Sequence, residues 1–166
     1  MPYYIWILAN IAFVVMTGLF IWLFQTQASS IVTFGQLLAQ ISIILFLINV
    51  NMYFIFFVIR KTRVRKVKLM LAKLSRKMMK AHIPLALIGS FFILIHGVVM
   101  LINVGERIGF GHGKLVSGYL ALLLLAVTLY AGNLRHKKAS GFRKKFHRIM
   151  AFSFTIIFTI HIFFPL

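Results

Sequence analysis

The sequence contains no cysteine and a single acidic residue, Glu106, among its 166 residues. The lack of cysteine excludes disulfides, iron–sulfur clusters, thiolate zinc sites and haem attachment of the C-x-x-C-H type. Charged residues make up 12% of the chain and hydrophobic residues 61%, whereas soluble domains carry about 25% charged residues. This composition excludes an ordinary soluble globule and predicts an all-α, polytopic membrane helix bundle.

Five apolar runs are long enough, or nearly long enough, to cross a bilayer, which takes about 20 residues. The second run is the longest, so we expect it to tilt or to project at one end. The first has neither the positive start nor the A-x-A site of a signal peptide, so we interpret it as a retained helix. We expect one transmembrane domain over residues 1–166. Its spans are residues 3–24, 31–59, 81–104, 115–132 and 149–166.

The basic residues are very unevenly distributed between these spans. Residues 60–80 hold ten of the 19 Lys and Arg side chains, and residues 133–148 hold seven. Only Arg107 and Lys114 lie elsewhere. Because loops rich in Lys and Arg stay in the cytoplasm, we expect a cytoplasmic N-terminus and an external C-terminus. The net charge of +18 then reflects the orientation of the chain in the membrane, and it also attracts anionic lipid. We expect no nucleic-acid partner.

The first basic segment also carries a helical apolar pattern. Two interpretations fit it equally well: an amphipathic helix on the inner membrane surface, or a cytoplasmic extension of the third span. The apolar positions follow i, i+3, i+4, i+7, i+11 spacing and are Val67, Met70, Leu71, Leu74 and Met78.

Four of the six histidines lie within two of the spans. His82 and His96 are 14 residues apart on the third span, and His147 and His161 are 14 apart on the fifth. Fourteen residues of α-helix turn a side chain by only about 40° and rise about 21 Å. Since the third and fifth spans run in parallel, we expect His82 at the level of His147, and His96 at the level of His161.

Two facing imidazoles can bind both axial positions of a haem iron, because the haem supplies four equatorial nitrogens itself. Zinc or copper would need a third or fourth protein ligand, and the five spans contain no Asp, Glu or Cys. We therefore predict two haem groups. They are b-type, since no cysteine is present to attach them. Histidines that only pack in the bundle, or sites for other metals, are the alternatives. His82 and His147 would ligate the inner haem, and His96 and His161 the outer haem.

Residues midway between the histidines fit this arrangement. Gly89 lies seven residues from both His82 and His96, where it leaves room for a flat macrocycle or a close neighbour. Phe154 lies midway between the two histidines of the fifth span. It would project into the gap between the haems. The alternatives are a glycine that serves helix packing and a phenylalanine that fills the core.

Haem propionates are anionic and need cationic partners. Lys80, Lys144 and Arg148 lie within a few residues of the inner histidines, and Arg107 and Lys114 lie in the outer loop. These side chains are candidates for binding the propionates. The alternative is that they anchor helix ends among lipid headgroups.

Two segments of the chain carry a resemblance to a known family. They are A-H-I-P-L-A-L-I-G-S-F-F-I-L-I-H-G in the third span and F-H-R-I-M-A-F-S-F-T-I-I-F-T-I-H in the fifth. Over residues 81–166 the chain resembles the ferric reductase-like transmembrane domain of ferric reductases and NADPH oxidases. It also resembles the membrane haem subunit of the bacterial methionine sulfoxide reductase system. The resemblance implies the same two histidine pairs. We expect an integral protein of a bacterial cell (inner) membrane.

Haem iron with two histidine ligands has no open position, so it transfers electrons rather than binding oxygen. We expect the chain to carry electrons from a cytoplasmic flavoprotein or quinol to an external acceptor: ferric iron, oxygen or a secreted reductase. It has no G-x-G-x-x-G. We therefore expect the electron-transfer subunit of a transmembrane oxidoreductase without its own flavin or NAD(P)H domain, and no catalytic residues. A haem-free scaffold or assembly subunit and a haem carrier are the alternatives.

Overall fold

The computed structural model describes residues 3–24, 29–138 and 140–165. The described chain is built from α-helices, and five of them are long and apolar enough to cross a membrane. The predicted all-α class and the five spans are thus confirmed, and the chain is an integral membrane protein. The helices are α1 (Tyr3–Phe24), α2 (Ser30–Lys61), α3 (Arg65–Asn103), α4 (Gly105–Ile108), α5 (Gly113–Lys137) and α6 (Gly141–Phe163).

The helices extend further into the basic segments than the apolar runs do. The clearest case is α3, which begins at Arg65 and continues without a break through Pro84. Residues 65–80 contain neither Gly nor Pro and are rich in Lys, Arg, Leu and Met, all of which favour the helix. Of the two interpretations of this segment, the extension of the third span is therefore the one observed. The connection predicted at residues 25–30 falls mostly outside the described residues, and so does residue 166.

The bundle consists of two antiparallel hairpins, α2–α3 and α5–α6, with α1 packed at their side against α2 and α6. Within the first hairpin the backbones lie close together because small residues face the partner helix. A Cβ atom at Gly35 would come within 2.9 Å of Val99 Cγ1. About two turns further along α2, Ser42 Oγ donates to the carbonyl of Gly89 at 3.1 Å. A side-chain hydrogen bond of 2.7 Å from Asn51 to Asn10 joins α2 to α1.

An aromatic cluster joins the two hairpins at the middle of the bundle. The ring of Phe46 on α2 meets Phe154 and Phe158 on α6 edge to face, at centroid distances of 5.2 and 5.8 Å. Phe154 and Phe158 stack on each other at 5.2 Å. Such aromatic contacts add to the burial energy of the rings. Among the described helices, α3 and α6 approach each other much less closely than each approaches its hairpin partner.

The two hairpins differ in length at the basic end of the bundle. Helix α3 begins 17 residues before His82, whereas α6 begins six residues before His147. At 1.5 Å per residue, the α2–α3 hairpin therefore extends about 16 Å further than the α5–α6 hairpin. This projecting end carries most of the basic residues of the first basic segment.

Candidate paired-histidine site

His82 and His147 lie next to each other between α3 and α6. Their ring centroids are 6.3 Å apart and their planes are nearly perpendicular, at 88°. The sequence analysis predicted that His82 and His147 lie at the same depth, and the structure places the two rings side by side. The role of the two residues as ligands stays a prediction.

His96 and His161 line a single cavity toward the other end of the bundle. Its volume is about 570 Å³, which lies within the range of about 300–1,000 Å³ typical of cofactor and ligand sites. The walls come mainly from α2, α3, α5 and α6, with Ile21 of α1 and part of α4, and are mostly apolar; Phe154 is among the lining residues. Arg107 and Lys114 also line it. The cavity therefore combines two imidazoles, an apolar interior and two cations.

Three of the four histidines direct Nδ1 at a backbone carbonyl of the neighbouring helix. His96 Nδ1 lies 3.0 Å from the Gly35 oxygen, His147 Nδ1 lies 3.2 Å from the Thr128 oxygen, and His161 Nδ1 lies 3.0 Å from the Lys114 oxygen. A carbonyl oxygen can only accept, so each Nδ1 carries the proton. The lone pair of each ring is then on Nε2, the nitrogen left free to bind a metal.

Two glycines of α5 create the space for the α6 histidines. A Cβ atom at Gly118 would lie 3.0 Å from His161 Cε1, and one at Gly132 would lie 3.4 Å from His147 Cε1. These glycines are 14 residues apart, as the histidines are. The carbonyls that accept from Nδ1 belong to the residues four positions earlier, one turn along α5. Sequence reasoning missed these glycines, although their 14-residue spacing was a signal that could have identified them.

His82 differs from the other three histidines. Among the described residues its buried Nδ1 has no hydrogen-bond partner, and the same holds for the buried Oδ1 of Asn49 on α2. Asn49 lies beside His82, because its Nδ2 donates to the His82 carbonyl oxygen at 3.3 Å. Asn49 was also missed by the sequence analysis.

Midway between His82 and His96, helix α3 packs directly against α2. A Cβ atom at Gly89 would lie 3.0 Å from the ring of Phe46, and the Gly89 carbonyl accepts from Ser42. Gly89 thus serves a close neighbour, which is one of the two uses predicted for it. Phe154 is 6% exposed and belongs to the aromatic core, while it also borders the outer cavity.

Lys114 and Arg143 each join α5 to α6, at opposite ends of the hairpin. Lys114 Nζ donates to the carbonyls of Ile162 and Phe164, at 3.1 and 2.7 Å, at the end of α6. Arg143 Nη1 donates to the Leu134 carbonyl at 2.8 Å, at the end of α5. Lys114 thereby satisfies carbonyls at the end of α6, where a helix leaves its last carbonyls without intrahelical partners. Arg143 adds a second donor to the Leu134 carbonyl, which also accepts from the Lys138 backbone N–H at 3.2 Å. Lys114 therefore has a capping role in addition to its place in the cavity wall.

The other predicted cations are on the surface. Lys80, Lys144, Arg148 and Arg107 are all exposed, and only Arg107 of these borders the cavity. In the outer loop, His112 caps α5 by accepting from the Lys114 backbone N–H at 3.2 Å.

The donor set decides which kind of metal fits. In the described part of the chain, no three His, Cys, Asp or Glu side chains gather closely enough to hold a metal ion. A protein zinc site uses three or four such ligands. Two imidazoles are instead enough for a metal that a macrocycle already holds by four equatorial nitrogens.

Fold and site together define a helical integral membrane protein with two levels of histidines between its hairpins. Comparison of the chain with known protein families, curated proteins and solved structures found no match.

Proposed function

We propose that the protein is a membrane cytochrome that binds two b-type haems and carries single electrons across the membrane. The observation that carries this proposal is the pairing of histidines from α3 and α6 at two levels, with Nδ1 of three rings held by backbone carbonyls. Carbonyl-bonded Nδ1 is the usual arrangement of a histidine whose Nε2 binds a metal.

The distance between His82 and His147 is compatible with a shared metal. A metal–imidazole nitrogen bond is about 2 Å long, and the ring centre lies roughly 1 Å behind the nitrogen, so one metal held between two imidazoles separates the centroids by about 6 Å. The observed separation is 6.3 Å. The perpendicular planes do not oppose this, because each ring can rotate about its own metal–nitrogen bond.

The outer cavity supports the second half of the proposal. It has the volume of a cofactor site, apolar walls that suit a macrocycle, and Arg107 and Lys114 to attract propionates. Haem b, when bound, supplies reversible one-electron chemistry at its iron. The protein's part is to hold both imidazoles, to exclude water with its apolar walls, and to fill the space between the two levels with Phe46, Phe154 and Phe158.

We also propose the direction of electron flow. The basic end of the bundle, including the projecting α2–α3 hairpin, would face the cytoplasm and attract an acidic flavoprotein by electrostatic complementarity; a membrane quinol is the other candidate donor. The acceptor would lie outside: ferric iron, oxygen or a secreted reductase. In this role the chain is the electron-transfer subunit of a transmembrane oxidoreductase, as its resemblance to the ferric reductase-like domain implies, and the membrane is that of a bacterial cell.

The visible spectrum of the purified protein tests the proposal. Protein from haem-replete cells should contain about two haems per chain. On reduction it should show the sharp α-band of low-spin haem b, because two imidazoles would hold the iron. A stable but colourless protein would contradict the proposal and favour a haem-free scaffold. Rapid transfer of haem to an apo-acceptor would favour a haem carrier.

Cysteine labelling tests the orientation without background, because the chain has no cysteine of its own. Gly111→Cys, in the outer loop, should react with a membrane-impermeant maleimide on intact cells. Lys138→Cys, at the end of α5, should react only after the membrane is opened. Both positions are exposed. The opposite pattern of labelling would reverse the proposed topology and the direction of electron flow.

A further inference from the structure

Helix α2 contacts α3 through three residues that are spaced seven apart. Gly35, Ser42 and Asn49 lie opposite His96, Gly89 and His82, respectively, and each pair is joined by a hydrogen bond, at 3.0, 3.1 and 3.3 Å. The two histidine levels of α3 are thus both in contact with α2, at its residues 35 and 49.

At the outer level α2 provides a hydrogen-bond acceptor for the histidine. Gly35 has no side chain to cover its carbonyl, and His96 Nδ1 bonds to that oxygen. The histidines of α6 also bond to backbone carbonyls, those of Lys114 and Thr128 on α5, and Gly118 and Gly132 leave room for the rings. At the inner level, the α2 residue opposite the histidine is not a glycine but Asn49, whose side chain carries its own hydrogen-bonding groups.

Asn49 and His82 carry complementary buried groups. The amide oxygen of Asn49 is an acceptor, and His82 Nδ1 becomes a donor once Nε2 binds a metal. Both atoms are buried and lack a partner among the described residues, although Asn49 Nδ2 already bonds to the His82 backbone. Buried polar groups are nearly always paired, and these two atoms are a complementary donor and acceptor on adjacent side chains.

We propose that Asn49 is the positioning residue of His82: its Oδ1 accepts a hydrogen bond from Nδ1–H and so orients Nε2 toward the inner haem that the proposed function places there. The inference rests on the proposed haem function. Asn49 thereby replaces the backbone carbonyl that each of the other three histidines uses. The inner level then differs from the outer in having one side-chain acceptor. This acceptor can be changed by mutation without changing the backbone.

A hydrogen bond at Nδ1 makes an imidazole ligand more basic and so stabilises ferric over ferrous haem. Asn49→Leu, which keeps the size and removes the acceptor, should leave two haems per chain but raise the midpoint potential of one of them. Asn49→Asp, with the same shape and a stronger acceptor, should lower that potential. The measurement is a redox titration of the α-band in the purified full chain.

Ser42→Ala is the matched control, because it removes a hydrogen bond between α2 and α3 that touches no histidine. It should leave both potentials unchanged. Repeating Asn49→Leu together with His96→Ala, which under the proposed function retains only the inner haem, assigns the shift to the inner level.

Each outcome is decisive. Unchanged potentials in Asn49→Leu, or an equal shift in Ser42→Ala, would overturn the role of Asn49 while leaving the proposed function intact. A parent protein without haem would overturn both. If Asn49→Leu does not accumulate in the membrane, Asn49→Asp alone decides. The inference is refuted if the midpoint potential of Asn49→Asp is not lower than that of the parent protein.

Discussion

Replacing His96 or His161 with alanine is expected to reduce the haem content from two per chain to one. The two residues line the same outer cavity, so loss of either removes one of the two axial ligands on which that haem would depend. His82→Ala and His147→Ala should likewise remove only the inner haem. These two rings contact each other, and they lie about 21 Å along the helices from His96 and His161. Haem per chain is measured by pyridine haemochrome absorbance on purified protein.

A loop histidine gives the control for this series. His136 is exposed near the end of α5, and His136→Ala should keep both haems. If all four variants at the paired histidines kept full haem content, the ligand assignment would be wrong. If each of them lost both haems, the two levels would not be independent sites.

Under the proposed function, Gly118→Leu is expected to remove the outer haem without replacing any of the four histidines. A Cβ atom at this position already lies 3.0 Å from His161 Cε1, so a leucine side chain would occupy the place of the imidazole. His161 would then lose its hydrogen bond to the Lys114 carbonyl and its orientation. Overpacking of this kind costs about 1–3 kcal/mol, and here the strain would fall on His161, a proposed haem ligand. Gly132→Leu should act in the same way on His147 and the inner haem.

Gly18→Leu on α1 is the matched control, since no atom of the described residues lies within 4 Å of a Cβ atom there. It introduces the same side chain into a membrane span and should retain both haems. Difference spectra of membranes, compared with the amount of protein in them, separate haem loss from poor accumulation. Two haems retained in Gly118→Leu would show that α5 does not position His161.

The paths of the helices were largely predictable from the sequence. The first span was predicted at residues 3–24, and α1 is Tyr3–Phe24. The other helices begin or end beyond the apolar runs, most of all α3, because hydropathy marks where lipid contacts the chain and not where the backbone leaves the helix. The one-turn helix α4 in the outer loop (Gly105–Ile108) carries no periodic signal and was not predicted.

The candidate site was predictable only in part. The 14-residue spacing of His82 and His96, and of His147 and His161, follows from the pitch and rise of a single helix. The partners of these histidines on α2 and α5 do not, because they depend on the register between two helices. Asn49, Gly118, Gly132 and the capping Arg143 were missed for that reason.

The sequence by itself determined an all-α membrane protein with two histidines on one face of each of two spans, since composition and helical pitch are local properties. Only the tertiary structure decided that His82 meets His147, that His96 and His161 share a cavity, and that Phe46 fills the level of Gly89. These contacts join residues distant along the chain. Their geometry depends on how closely Gly35, Gly118 and Gly132 let neighbouring helices and side chains approach.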